Sequence, residues 1–176
     1  MSDVTVRPLG EDDWEQFRAI RLAALTESPE AFVASAEQEE AFDQDLWRER
    51  MRRSTRFVAE QGDAPVGVVS LGESGDEEGR VAEIFGLWVH PVARGSGVAT
   101  KLVEATAERA RAEGRSHVAY WVGPDNGRAV AFASGMGFRP TDSRRPMRVA
   151  SGDGDGEDEL AMILPLGADR GGNVTL

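Results

Sequence analysis

The sequence predicts an α/β domain built on a mixed sheet with helices on both faces. Three observations lead there. The centre of the chain, Arg80 to Gly114, reads strand, glycine-rich turn, helix. A second strand, break and helix follow over Ser116–Gly137. Hairpin patterns flank this alternating centre, and no internal repeat is visible. At 176 residues the chain has a one-domain length, long enough for a real core.

The elements follow in order. Val4–Leu9 alternates and meets Pro8, which predicts a first strand. Asp12-Asp13 is placed to cap a helix over Trp14–Leu25, where Trp14, Phe17, Ile20, Arg21 and Leu25 keep helical spacing. Ser28-Pro29-Glu30 opens a short helix or turn around Ala31–Ala36. Gln44–Arg53 is a further helix with Leu46, Trp47 and Met51 on its apolar side. Arg56–Gln61 and Pro65–Glu73 form a hairpin across Gly62-Asp63, and Ser74–Gly79 is a polar loop. Val81–Val89 is β-branched and aromatic enough for a central strand, which Pro91 stops. Arg94–Ala99 is too rich in glycine to be either element. It runs into a helix over Thr100–Glu113 that ends on Gly114, a residue suited to the left-handed position after a helix. Ser116–Val122 is the next strand, Gly123–Asn126 breaks it, and Arg128–Met136 is a short helix closed by Gly137. Phe138-Arg139-Pro140 leads out. Arg148–Ala150 and Leu160–Leu166 make a terminal hairpin around an acidic loop. Asp169–Leu176 reads as a frayed tail, so residues 1–167 are taken as the domain and 168–176 as its tail.

Composition narrows the function. Net charge is −11 and the pI about 4.7, which argues against general nucleic-acid affinity. Such a field favours a cationic small molecule or peptide, although solubility alone also explains it. There are no cysteines, so a disulfide framework, a thiolate zinc site and an acyl-cysteine intermediate are all excluded. No segment reaches the ~20 apolar residues of a membrane span, and the polar start MSDVTVRPLGEDDW has no signal-like apolar run. The expectation is a cytoplasmic protein. Asp153-x-Asp155-x-Glu157 has the spacing of calcium-loop ligands, but Asp158 stands where such a loop needs glycine. His90 and His117 are too scattered for a metal site. No metal is expected.

The strand-to-helix junction carries the chemistry. The first amides of a helix lack partners and sit at the positive end of its dipole. Glycines remove the Cβ atoms that would hold a phosphate away from them. Gly95, Ser96, Gly97, Val98, Ala99 and Thr100 therefore form a candidate pyrophosphate cradle; a turn that binds nothing is the competing reading. The dinucleotide fingerprint fails, because Thr100 stands where a third small residue is needed. The Walker A loop fails too, because Lys101 follows Thr100 and precedes Leu102.

The spacing Arg94-x-x-Gly97-x-Ala99 instead resembles the acetyl-CoA loop of the GNAT superfamily of N-acetyltransferases. Leu87-Trp88-Val89-His90-Pro91 is similar to the family's strand ending in Val-x-Pro. Asn126 with Ala129, and Gly137-Phe138 after the next helix, are similar to its second motif. The resemblance covers roughly Val81 to Phe138. It implies a single domain with a mixed, mostly antiparallel sheet of about seven strands, helices on both faces, and a split between the fourth and fifth strands. It implies acetyl-CoA as co-substrate, and two helices between the first two strands that line the acceptor site. Phe32 and Trp47 are then either an apolar acceptor wall or ordinary core.

The same resemblance assigns roles. The amides of Gly95 to Thr100 hold the pyrophosphate and Arg94 adds charge. Leu87, Trp88 and Val89 pair their backbone with the pantetheine arm, and the Val89 amide faces the thioester carbonyl. Asn126 bonds the arm near the split. Glu83 is the only carboxylate of the central strand, and simple alternation puts it on one face with Phe85, Leu87 and Val89. Among apolar neighbours its pKa is expected to rise, and by analogy with relatives it is the catalytic base. Pairing with Arg80 or exposure to water is the alternative. Two departures stand out. Many relatives carry a Tyr acid where this chain has Ala133, and the ribosomal-protein alanine acetyltransferases carry a Glu base where it has Trp121. The single tyrosine, Tyr120, points the other way, so no acid is assigned and a water can serve. Trp121 implies a more apolar acceptor wall. The resulting expectation is direct transfer of acetyl from acetyl-CoA to a primary amine of a small molecule or peptide N-terminus within a ternary complex. A non-catalytic acyl-CoA sensor or partner-binding module is the alternative, and another acyl donor such as succinyl-CoA a third. Oligomeric state stays open, with a homodimer allowed by analogy.

Overall fold

The computed structural model describes residues 3–29, 32, 34–76, 78–146 and 158–167. Its strands are β1 (Val4–Leu9), β2 (Thr55–Gln61), β3 (Ala64–Glu73), β4 (Val81–Val89), β5 (His117–Val122), β6 (Arg139–Pro146) and β7 (Asp158–Pro165). Its α-helices are α1 (Trp14–Glu27), α2 (Ala36–Glu40), α3 (Gln44–Arg53), α4 (Val98–Ala112) and α5 (Gly127–Gly135). The strands form one seven-stranded sheet in the order β1-β2-β3-β4-β5-β7-β6. Every pairing is antiparallel except β4 with β5. The mixed α/β sheet with a junction between its fourth and fifth strands is therefore the architecture the sequence predicted.

Local chemistry explains most elements. Asp43 caps α3 by accepting from the Leu46 amide at 2.9 Å, and Arg50, Arg52 and Arg53 sit at its negative end. The β2–β3 turn uses Gly62 at φ 64, the only positive φ there, as a turn with glycine first requires. Helix α4 closes on Gly114 at φ 80, with Arg115 N–H donating to Ala110 and Gly114 N–H to Arg111. Helix α5 closes likewise: Gly137 takes φ 101, and Phe138 N–H donates to Ala133 while its ring is buried. The Gly137-Phe138 pair is thus a helix stop with its hydrophobic anchor.

Four elements differ from expectation. Asp13 does not cap α1 with its side chain; its carboxylate accepts from Gly10 instead, across a short 3-10 turn. The second α-helix is Ala36–Glu40, where Ser35 and Gln38 cap each other reciprocally, while Pro29 itself opens a turn, with Phe32 N–H donating to its carbonyl at 3.5 Å; residues 30, 31 and 33 lie outside the described ones. Helix α4 starts at Val98, two residues early, because Gly97 is its cap. The strand that pairs with β7 is Arg139–Pro146, a charged and proline-bearing stretch that suits a sheet edge. Arg148–Ala150, the acidic-loop residues Asp153, Asp155 and Glu157, and the tail lie outside the described residues.

Two cores sandwich the sheet. On one side Phe17, Ile20 and Ala24 of α1 and Trp47 and Met51 of α3 pack with Val58, Val68 and Trp88. On the other, Val98, Leu102, Val103 and Ala107 of α4 pack with Val69, Leu71, Ala82 and Ile84. Gly67 lets α4 press onto β3: an added Cβ would lie 3.0 Å from Leu102 and Val98 side-chain carbons and 3.2 Å from the Trp88 carbonyl oxygen. A Gly67→Val variant is therefore overpacked and should lose about 1–3 kcal/mol in urea unfolding.

Candidate functional site

The site forms where β4 leaves β5. Their register runs from Val81 opposite His117 only to Ile84 opposite Tyr120. Beyond that point β4 continues to Val89 without β5 beside it. At the same place β4 carries a bulge: Gly86 adopts φ 63, and the register with β3 shifts between Val68 and Ser70. The bulge reverses the alternation the sequence implied. Glu83 and Phe85 face α1 together with Trp88, whereas Leu87 and Val89 pack against the α4 core. The expectation that Glu83, Phe85, Leu87 and Val89 share one face is corrected on this ground.

On the α4 side the glycine loop opens a hollow of about 310 Å³, lined by Val89, Arg94, Gly95, Gly97–Thr100 and Phe132. Gly95 and Gly97 take φ 82 and 83, and a Cβ on either would meet open space. The first bond of α4 is Lys101 N–H to Gly97 at 3.1 Å, which leaves the amides of Val98, Ala99 and Thr100 without helical partners. His90 N–H donates to Val66 on β3 at 2.8 Å, so Val89, next in the alternation, turns its N–H and C=O to the open edge. Leu87 shares that edge. Trp88 does not: its backbone faces β3, and its indole N–H donates to Glu27 of α1 at 3.0 Å. Arg94 spans the hollow's rim, donating to the Val89 carbonyl at 2.9 Å and to Glu27 at 3.0 Å. Hydrogen bonds from Ser28 and Trp88, with Arg94 beside it, hold the Glu27 carboxyl below its usual range. Ser96 Oγ bonds the Ala93 carbonyl and so braces the loop. Asn126 caps α5 by accepting from Ala129 N–H at 3.2 Å.

On the opposite side a hollow of about 630 Å³ opens beside Glu83, Phe85 and Gly86. Glu83 accepts from Arg145 Nη1 at 2.7 Å, and Arg145 also bonds Glu159 at 2.8 Å while lying 4.3 Å over the Trp121 ring. Glu83 therefore has an ion-pair partner from β6, not Arg80, which pairs with Glu78. Phe32 lines this hollow, with Arg21 4.9 Å over its ring. Trp47 does not; it is 0% exposed and belongs to the core. Trp121 meets a guanidinium, so the wall there is cationic where an apolar one was expected. Tyr120 stacks edge-on with Phe138, and burial pushes its phenol up. Ala133 is fully buried.

Sequence reasoning missed the arginines of this second hollow. Arg21 and Arg50 share Glu39, a carboxylate 2% exposed, at 3.0 and 2.8 Å. Burial alone raises the Glu39 pKa, but the hydrogen bonds from Arg21 and Arg50 more than reverse it. An arginine heading the apolar run Phe57-Val58-Ala59 was the available signal for Arg56. Among the described residues no cluster of His, Asp and Glu is placed to hold a metal, and no helix is long and apolar enough to cross a membrane.

The comparisons agree with this geometry. Residues 14–138 match the model of the Acetyltransferase (GNAT) family. The match takes in well over half of the chain, and the chain belongs to that family. Over 85 residues it is 39% identical to an uncharacterized N-acetyltransferase of Methanocaldococcus jannaschii, covering 47% of this chain and 38% of that one. The match thus spans well under half of the relative's length. Among solved structures, yncA of Salmonella typhimurium, determined with its cofactor acetyl-CoA, superposes with a TM-score of 0.72 at 20% identity, covering 99% of this chain and all of the other. A GNAT-family acetyltransferase of Streptococcus pneumoniae gives 0.75 at 14% identity, over 94% and 100%. The ribosomal-protein-S18-alanine N-acetyltransferase of Escherichia coli gives 0.68 at 18%, over 99% and 100%. At these identities the likeness is one of fold.

Glu39 offers a direct check on the arginine cluster. Glu39→Ala leaves two half-buried guanidiniums without their shared carboxylate and should cost about 3–5 kcal/mol at pH 7. The Glu39 pKa lies below its ordinary 4.5 in the folded protein. Its contribution is therefore present above that pH and lost as pH falls through the lowered value. Urea unfolding from pH 7 to pH 3 should show that loss in the wild type, and Glu39→Gln should flatten it.

Proposed function

We propose that the protein is an acetyl-CoA-dependent N-acetyltransferase that moves acetyl directly to a primary amine in a ternary complex. The carrying observation is the pair of hollows on opposite faces of β4, beside the point where β4 and β5 part. One is lined by Val89 and the unpaired α4 amides, the other by Glu83 and Gly86. A long cofactor arm can enter by the first and present its thioester to the second.

Acetyl-CoA supplies an activated acyl group on sulfur. The chain's residues would do the rest. The amides of Gly95–Thr100 hold the pyrophosphate at the positive helix end, with Arg94 exchanging Glu27 for phosphate oxygen. The backbone of Leu87 and Val89 seats the pantetheine, and the Asn126 side-chain amide steadies it. Val89 N–H meets the charge that develops on the carbonyl oxygen. Glu83, paired with Arg145, takes the ammonium proton directly or through a water. The nitrogen then bonds the acetyl carbon, the carbon–sulfur bond breaks, and the second proton lost by nitrogen passes through water to the departing thiolate. Residues 1–167 form the catalytic unit, acting in the cytoplasm. A non-catalytic sensor is the second reading, motivated by the buried Ala133 in place of an acid.

Calorimetric titration with acetyl-CoA, followed by thiol release against an amine panel, tests this. Binding with release supports the enzyme; binding without release across the panel favours the sensor. Gly97→Glu puts a charged side chain on a residue at φ 83 beside the cradle. It should weaken acetyl-CoA binding by about 100-fold or more. Glu83→Gln should lower kcat by about 10²-fold, with acetyl-CoA affinity kept. Unchanged turnover would remove Glu83 as base.

A further inference from the structure

We propose that the acceptor amine carries an oxyacid group, a carboxylate or a phosphonate, seated by Arg56, Arg21 and Arg50. The proposal rests on the acetyltransferase reading above and names the substrate class of that site. It runs against the whole-chain charge of −11. Locally the sign is reversed: Arg21, Arg50, Arg53, Arg56 and Arg145 line the hollow, against Glu73 and Glu83.

The nearby carboxylates are already engaged. Glu83 pairs with Arg145, Glu73 with Arg115, and Glu39 with both Arg21 and Arg50. Arg56 touches none of them. It is 5% exposed, and donates from Nη1 to Ser70 Oγ at 2.6 Å and from Nη2 to the Arg50 carbonyl at 3.1 Å. Its Nε has no hydrogen-bond partner among the described residues. The rings of Phe17 and Phe85, 4.7 and 5.3 Å from its guanidinium, ease the burial without supplying a counter-charge. Burial, with Arg50, Arg21 and Arg53 adding to it, pushes the Arg56 pKa down to about 9, which still leaves it charged at neutral pH. A buried cation with an unpaired Nε and three cationic neighbours is complementary to an anion.

Placement joins this cluster to the chemistry. A Cβ on Gly86 would lie 3.8 Å from Arg21 Nη1 and 3.8 Å from Ser70 Oγ, so both groups reach the bulge of β4. Glu83 stands three residues earlier on the same wall. An acceptor can thus hold its amine toward Glu83 and the split while its oxyacid lies on the arginines. Phe32, Val68 and Phe85 offer an apolar bed for the carbon skeleton between them.

The test pairs each acid with its neutral twin. Amino acids are set beside their carboxamides, aminoalkylphosphonates beside their diethyl esters, and cationic polyamines serve as the opposite extreme. Thiol release from acetyl-CoA should give a kcat/KM at least about tenfold higher for one acid series than for its neutral partners. Which series wins tells carboxylate from phosphonate. Arg21→Met should bring that ratio toward one while acetyl-CoA affinity is unchanged, and Arg56→Lys should lower it partly. Equal rates on acids and neutral twins, or a preference for polyamines, overturns the proposal and leaves the acetyltransferase standing. If no amine is acetylated, the acetyltransferase reading fails, and calorimetry with inorganic phosphate decides the anion site separately. Binding lost in Arg21→Met upholds it; no binding overturns it.

Discussion

The short parallel pairing of β4 with β5 is the constraint on which the rest depends. It ends at Ile84 and Tyr120, although both strands run on. A strand edge without a partner leaves peptide groups that need bonds. Here the exposed edge is that of Val89, whose carbonyl is already held by Arg94. The bulge at Gly86 sits at the same point and turns the strand, so one strand lines two hollows on opposite faces. Splitting the sheet and kinking its central strand thus open a hollow on each face of β4.

Charge is divided between the two hollows. On the α4 side the donors are backbone amides, which suit a large polyanion without committing side chains. On the α1 side they are guanidiniums stacked on Phe17, Phe32, Phe42 and Trp47. Glu39 neutralises part of that cluster and ties α2 to α1 and α3. Short α2 is therefore held less by its own propensity than by one buried carboxylate.

Much of this was legible in the sequence where local rules act. Glycines at 95, 97, 114 and 137 mark positive φ, and the helices around them follow from periodicity and caps. Those rules give the mixed α/β pattern and the loop, while the seven-strand count and the split came from the family resemblance. What stayed hidden depended on contacts distant in sequence. Parity arithmetic along Val81–Val89 fails at Gly86: a glycine inside a strand is the local mark of a bulge, and strict alternation ignores it. Arg145 reaches Glu83 from 62 positions away, out of a stretch whose prolines and charges hide a strand. Arg21 shares the spacing of the apolar face of α1 and Arg56 heads an apolar run, but only the fold brings them together with Arg50. The helix Ala36–Glu40 was missed for a different reason: the Ser35–Gln38 capping pair was present in the sequence but lies beyond the turn that Pro29 marks.

The central claim, that the split and the α4 amides receive acetyl-CoA, is tested most directly by following backbone amide resonances during an acetyl-CoA titration. The account predicts shifts concentrated at Val89 and Gly95–Thr100, with those of the β1–β2 edge unmoved. Saturable binding whose shifts fall elsewhere, or no shift at all at millimolar acetyl-CoA, would contradict it.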